Sequence, residues 1–126
     1  MIISLDTECT GLDLAHGAMP FIITWCEQGC NPCLCEGPVD PLTRKPKVDN
    51  TDVEYVAELL DSADTIYLQN AKFDAHALYN IGLVMPWDKV RDTLVAGHLL
   101  GSNYDHALDK MCMQYLGTDI SPHEVL

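Results

Sequence analysis

Positive charge is what this sequence lacks most: Lys and Arg number 7 against 19 Asp and Glu, for a net charge of −12 over 126 residues. That balance argues against a broad phosphate-tracking surface, which needs a stripe of basic side chains. Nucleic acid would have to be held through metal ions, a few bases and stacking. Much of the scarce positive charge, at Arg44, Lys45 and Lys47, sits in one proline-punctuated stretch. Long apolar runs are missing too: none approaches the ~20 residues that a bilayer requires, so no membrane association is expected. The opening Met1-Ile2-Ile3-Ser4 has no basic region ahead of its apolar residues and does not read as a signal peptide. A reducing, cytoplasmic setting is the default expectation. The length suits one domain with a core of its own.

What is present is a strand that ends in acid. The apolar, β-branched run Ile2-Ile3-Ser4-Leu5 leads into Asp6-Thr7-Glu8 and the turn Cys9-Thr10-Gly11-Leu12-Asp13. Residues two apart in a strand share a face, so Asp6 and Glu8 project together, roughly 6–7 Å apart. Like charges so close need a shared proton or a cation, and Mg²⁺ or Mn²⁺ suits carboxylate oxygen. The plain alternative is a polar strand end facing water. A second short strand, Thr65-Ile66-Tyr67-Leu68, runs into Gln69-Asn70-Ala71-Lys72-Phe73-Asp74. Asp74 is thus a third carboxylate just past a strand end, where α/β sheets tend to place their sites.

Along the chain, Pro20–Cys26 has strand character, and a weaker strand from about Cys30 to Glu36 returns antiparallel after a turn at Glu27-Gln28-Gly29. Residues 37–46 form a loop. Asp49-Asn50-Thr51 caps a helix ending near Ser62. Then follow a strand Thr65–Gln69, a helix from about Lys72 to Asn80, a strand around Lys89–Arg91, and helices from about Thr93 to Leu100 and His106 to Leu116, the last ended by Gly117. This order predicts an α/β fold: a mixed sheet with an antiparallel start, then parallel strands, flanked by helices.

The run D-T-E-C-T-G-L-D at residues 6–13 resembles the first motif of the DEDD 3′–5′ exonucleases, with Cys9 where the family usually has Thr. Asn70-Ala71-Lys72-Phe73-Asp74 matches their second motif, N-x-x-F-D. Asp92-Thr93-Leu94 and the stretch from His106 to Gly117 are similar to the D-T and H-x-L-D-x-L-x-x-x-Y-L-G segments of proofreading domains in family A DNA polymerases. Val39-Asp40-Pro41-Leu42-Thr43-Arg44 resembles a loop of the phage polymerases. The resemblance implies an RNase H-like fold and hydrolysis at a DNA 3′ end with two ions, Mg²⁺ or Mn²⁺. It implies Asp6, Glu8 and Asp74 as catalytic and metal-holding groups. It implies Thr10, Gly11, Leu12, Asn70 and Phe73 as contacts to the terminal nucleotide. Thr7 faces away by alternation and reads as packing.

The family's fourth carboxylate, with the Tyr or His that positions water, is expected beyond Leu126. The chain then reads as the front part of an exonuclease domain, incomplete at its C-terminus and weak or inactive alone, whose partners are a single-stranded DNA 3′ end and a polymerase domain on one polypeptide. Tyr115 and Asp119 match Y-x-x-x-D literally, but Gly117 should end the helix between them. The rivals are an RNase D-like exoribonuclease and a non-catalytic scaffold with the same fold. A zinc module is a further rival, since Cys26, Cys30, Cys33 and Cys35 crowd ten residues. Only Cys30 and Cys33 have knuckle spacing, so reduced thiols in a hairpin are expected.

Overall fold

The computed structural model describes residues 1–42 and 44–120, so Thr43 of the 37–46 loop and residues 121–126 lie outside it. Strand β1 (Ile2–Cys9) turns its odd residues to the core: Ile3, Leu5 and Thr7 are buried while Ile2, Ser4, Asp6 and Glu8 are exposed. β2 (Pro20–Glu27) pairs with it antiparallel, Leu5 opposite Trp25 and Asp6 opposite Thr24, with a bulge at Glu8/Cys9. β3 (Cys33–Glu36) extends the antiparallel side. β4 (Thr65–Leu68) and β5 (Val90–Asp92) lie parallel on the other side, giving the order β3-β2-β1-β4-β5. The expected mixed sheet is the observed one.

Helix α1 (Asn50–Ser62) is capped by Asp49, whose carboxylate accepts the Asp52 N–H at 2.9 Å. α1 and α2 (Ala71–Tyr79) send Val56, Leu59, Leu60, Ala71 and Leu78 onto Ile3, Leu5, Ile23, Ile66 and Leu68, which together make the core. Each Val, Leu or Ile among them, fully buried, contributes about 1.5–3 kcal/mol. The opposite face receives the start of α4 (Leu108–Leu116), while α3 (Thr93–Leu100) follows β5 directly. Short 3-10 turns at Leu14–His16 and Trp87–Lys89 complete the path. No described helix is long and apolar enough to cross a membrane.

Several boundaries differ from the sequence expectation, most of them by one residue, and three have a local cause. β3 starts at Cys33 rather than Cys30: the Cys30 N–H is spent on the Glu27 carbonyl at 2.9 Å, and Pro32 has no N–H for the ladder. β5 is shifted to Val90–Asp92 because Lys89 belongs to the 3-10 turn before it. The last helix starts at Leu108 rather than His106. Ala107 is extended, and His106 is a buried anchor bonded through Nε2 to the Gly101 carbonyl at 2.9 Å. The 37–46 loop is also more ordered than its composition suggests: Val39 bridges Pro46, and the Asp40 N–H donates to the Lys45 carbonyl at 2.8 Å. Gly37 is required there, since a Cβ would stand 2.1 Å from the Lys47 carbonyl carbon.

Candidate active site

Two carboxylates stand on the exposed face of β1 and a third reaches the buried face of the same strand from α2. Asp6 and Glu8 project together from its exposed face, as period-two alternation requires. Asp74, in the first turn of α2, comes from the core side, where only 3% of its surface is exposed. The Thr7 hydroxyl donates to Asp74 Oδ1 at 2.6 Å in a buried hydrogen bond. Thr7 is therefore more than packing: it ties the second motif to the first across 67 residues of chain.

Burial pushes the Asp74 carboxyl up to about 7 and outweighs the Thr7 bond that favours the ionised form; the negative charge of Asp6 and then of Asp92 adds to the rise. Burial also raises the Asp6 carboxyl. Cys9, at the end of β1, registers all three acids: burial lifts its thiol first, the Thr7 hydroxyl opposes, and Asp74, Glu8 and Asp6 lift it further. Among the described residues no three His, Cys, Asp or Glu side chains are drawn close enough to enclose an ion as they stand. Neither Asp6 nor Asp74 has a Lys or Arg partner among them. An all-oxygen donor set with uncompensated negative charge fits a hard divalent cation.

The second-motif turn is held by an acid that the sequence marks only as part of the D-T segment. Asp92, closing β5, accepts N–H bonds from Asn70 at 3.0 Å and Ala71 at 2.8 Å, and from Leu94 at 2.9 Å. It thereby caps α2 and α3 at once. The D-T start of α3 was its visible signal; the reach back to residue 70 had none. Asn70 itself sits in the left-handed region at φ 64°, which Asn tolerates better than most residues.

A cavity of about 410 Å³ beside this turn is lined by Leu12, Asp13, Leu14, Ala15, Asn70, Lys72, Phe73 and His76. Three of the five expected nucleotide contacts, Leu12, Asn70 and Phe73, meet there, and Leu12 is 88% exposed. Thr10 and Gly11 do not line it. The Thr10 hydroxyl accepts the Met19 N–H at 3.1 Å, and Gly11 stands in the turn near Ala18. A second cavity, about 420 Å³ and mostly apolar, opens on the other side of β1 against Asp6, with Trp25, Cys26, Tyr67, Gln69 and Leu108 in its walls. Asp119 follows the helix end at Gly117, off α4. Cys35 is buried in the core, apart from the exposed Cys30 and Cys33, so the four clustered cysteines do not converge on a zinc ion.

A mixed sheet of this order, with acids at the end of its first strand and at the helix after its fourth, defines the RNase H-like exonuclease class. Residues 2–126 match the model of the 3′-5′ exonuclease family, and the chain belongs to that family. Brucella melitensis NrnC with bound Mg²⁺ superposes with a TM-score of 0.74 at 20% identity, covering 94% of this chain and 55% of that one. NrnC of the same organism bound to pGG gives 0.69 at 21% identity, over 94% and 54%. Exonuclease X in complex with 5′ overhanging duplex DNA gives 0.61 at 18%, over 90% and 72%. At such identities the likeness is one of fold, and the chain spans about half the length of the NrnC chains. No curated protein matches it.

Proposed function

We propose that the chain carries the catalytic half-site of a metal-dependent 3′–5′ exonuclease acting on a single-stranded DNA 3′ end. The observation that carries this reading is the cavity uniting Leu12, Asn70 and Phe73 beside the end of β1. Asp6, Glu8 and Asp74 would hold two Mg²⁺ or Mn²⁺ ions, which when bound activate water and stabilise the leaving oxygen. Phe73 offers a ring face to the terminal base and Leu12 a wedge against it. The Thr7 hydroxyl holds Asp74 against β1, and Lys72 brings positive charge to the wall of the cavity beside Phe73. Thr10 and Gly11 shape the turn that presents Leu12. A proofreading role beside a polymerase domain of the same polypeptide rests on the resemblance of residues 92–94 and 106–117.

The RNA reading has one specific support, the likeness to NrnC bound to pGG. One experiment separates the readings. End-labelled single-stranded DNA, the matching RNA and pGG are incubated with the protein in Mg²⁺ or Mn²⁺, with Asp6→Ala as control. A ladder shortening from the DNA 3′ end, absent in the control, supports the proposal. Shortening of RNA alone moves the assignment to the ribonuclease. A Mn²⁺ titration runs in parallel: no binding, or binding that Asp6→Ala leaves unchanged, points to the scaffold.

A further inference from the structure

The β2–β3 turn carries a feature that the nuclease reading does not use. Cys30 and Cys33 are both exposed and stand on either side of Asn31-Pro32. The turn is fixed by the Cys30 N–H bond to Glu27 at 2.9 Å, with Gly29 at φ +80°. Both residues line one cavity of about 270 Å³, shared with Trp25, Tyr55, Glu27 and Glu58. Cys26 lines the Asp6 cavity instead, and its thiol donates to the Cys30 carbonyl at 3.2 Å. Cys35 is buried. Spacing, exposure and a common cavity therefore single out one pair. Two accessible thiols separated by two residues on a turn are near enough along the chain for one to resolve a mixed disulfide formed at the other.

We propose that Cys30 and Cys33 form an oxidisable dithiol that closes to an intramolecular disulfide by exchange with low-molecular-weight disulfides. One thiolate attacks a small disulfide RSSR, whose S–S bond breaks and releases RSH. The second thiolate then attacks the protein sulfur of the mixed disulfide and expels the other RSH. Two electrons pass from the protein to RSSR, and the protein loses two hydrogens. The Glu27 carboxylate holds the Cys30 thiol above its usual range, with Cys26 and Cys33 adding to it. Closure is therefore slow at neutral pH and faster as pH rises. Pro32, inside the ring that would form, also lines the cavity that contains Asp6. Trp25, the ladder partner of Cys33, lines both cavities. The wall between them is thus the part that closure moves.

The test equilibrates the chain with reduced and oxidised glutathione and labels free and formerly oxidised thiols differently before mass mapping. The expected result is a loss of about 2 Da with the second label on Cys30 and Cys33 alone. Cys30→Ser and Cys33→Ser each abolish it, Cys26→Ser retains it, and Glu27→Gln speeds closure several-fold at pH 7. A Cys26–Cys30 linkage, glutathione adducts without closure, or no mass change overturns the proposal. In a Trp87→Phe background closure shifts Trp25 emission; unchanged emission in the oxidised protein overturns the coupling to the shared wall. None of these readouts depends on nuclease activity.

Discussion

On one side of β1, Ile3, Leu5 and Thr7 are sealed beneath α1 and α2. On the other, Ser4, Asp6 and Glu8 look out past Leu34 and Tyr67, which keep 60% and 43% of their surface exposed. The contrast continues into the helices. α1 buries Val56, Leu59 and Leu60, whereas α4 buries nothing and α3 leaves Leu99 83% exposed. A single strand with period-two alternation therefore does two jobs through alternate residues. The odd positions hold the fold and the even ones carry exposed acids, to which the proposed reading assigns the chemistry. Thr7 and Asp74 are where the separation fails, since a buried hydroxyl on the odd face binds an acid that the proposed function groups with the even one.

The sharpest way to break the comparison is at its even positions. Asp6→Ala or Glu8→Ala should lower metal-dependent nucleotide release on the order of 10³-fold, measured on labelled oligonucleotides, with a thermal midpoint close to wild type. A large fall in midpoint would put these residues in the fold after all. At the core face the expectation reverses. Ile66→Ala, at a site with no exposed surface, should lose about 2–5 kcal/mol in urea unfolding.

Asp74 tests the boundary through pH. Its carboxyl stands at about 7 in the folded chain against an ordinary 3.8, so between those values the folded state keeps a proton that the unfolded state has lost. Without metal, stability should accordingly fall as pH rises through that window, by at most about 1.4 kcal/mol per unit. It should level off above it. Asp74→Asn should flatten this profile, and Mn²⁺ should offset the loss near pH 7; a metal-free stability that rises across the window would contradict the burial argument. The smallest effect is expected for Thr7→Val, which keeps the shape and removes the hydroxyl. It should destabilise by about 1 kcal/mol and move the acid limb of the activity profile upward, because Asp74 loses the bond that favours its ionised form.

Much of this was legible in the chain. Alternation set Asp6 beside Glu8 and turned Thr7 to the packed face, and the Asp49 cap and the Gly117 stop placed two helix ends. The sheet followed from the order of its strands. What stayed hidden were bonds between distant residues. Nothing in the spacing of Thr7 and Asp74, or of Asp92 and Asn70, says that they touch. Local propensity also misplaced β3 and α4, because the Pro32 and His106 neighbourhoods are settled by a missing donor and by a buried imidazole. The meeting of Leu12 with Phe73 needed both motifs folded against one another.

The Asp92 carboxylate has a dynamic corollary. Because it serves the first amides of two helices from a strand end, unwinding either one strands donors belonging to the other. The onset of α2 and the onset of α3 should fray as one cooperative unit. Amides at residues 70, 71 and 94 would then share a common opening rate in hydrogen exchange.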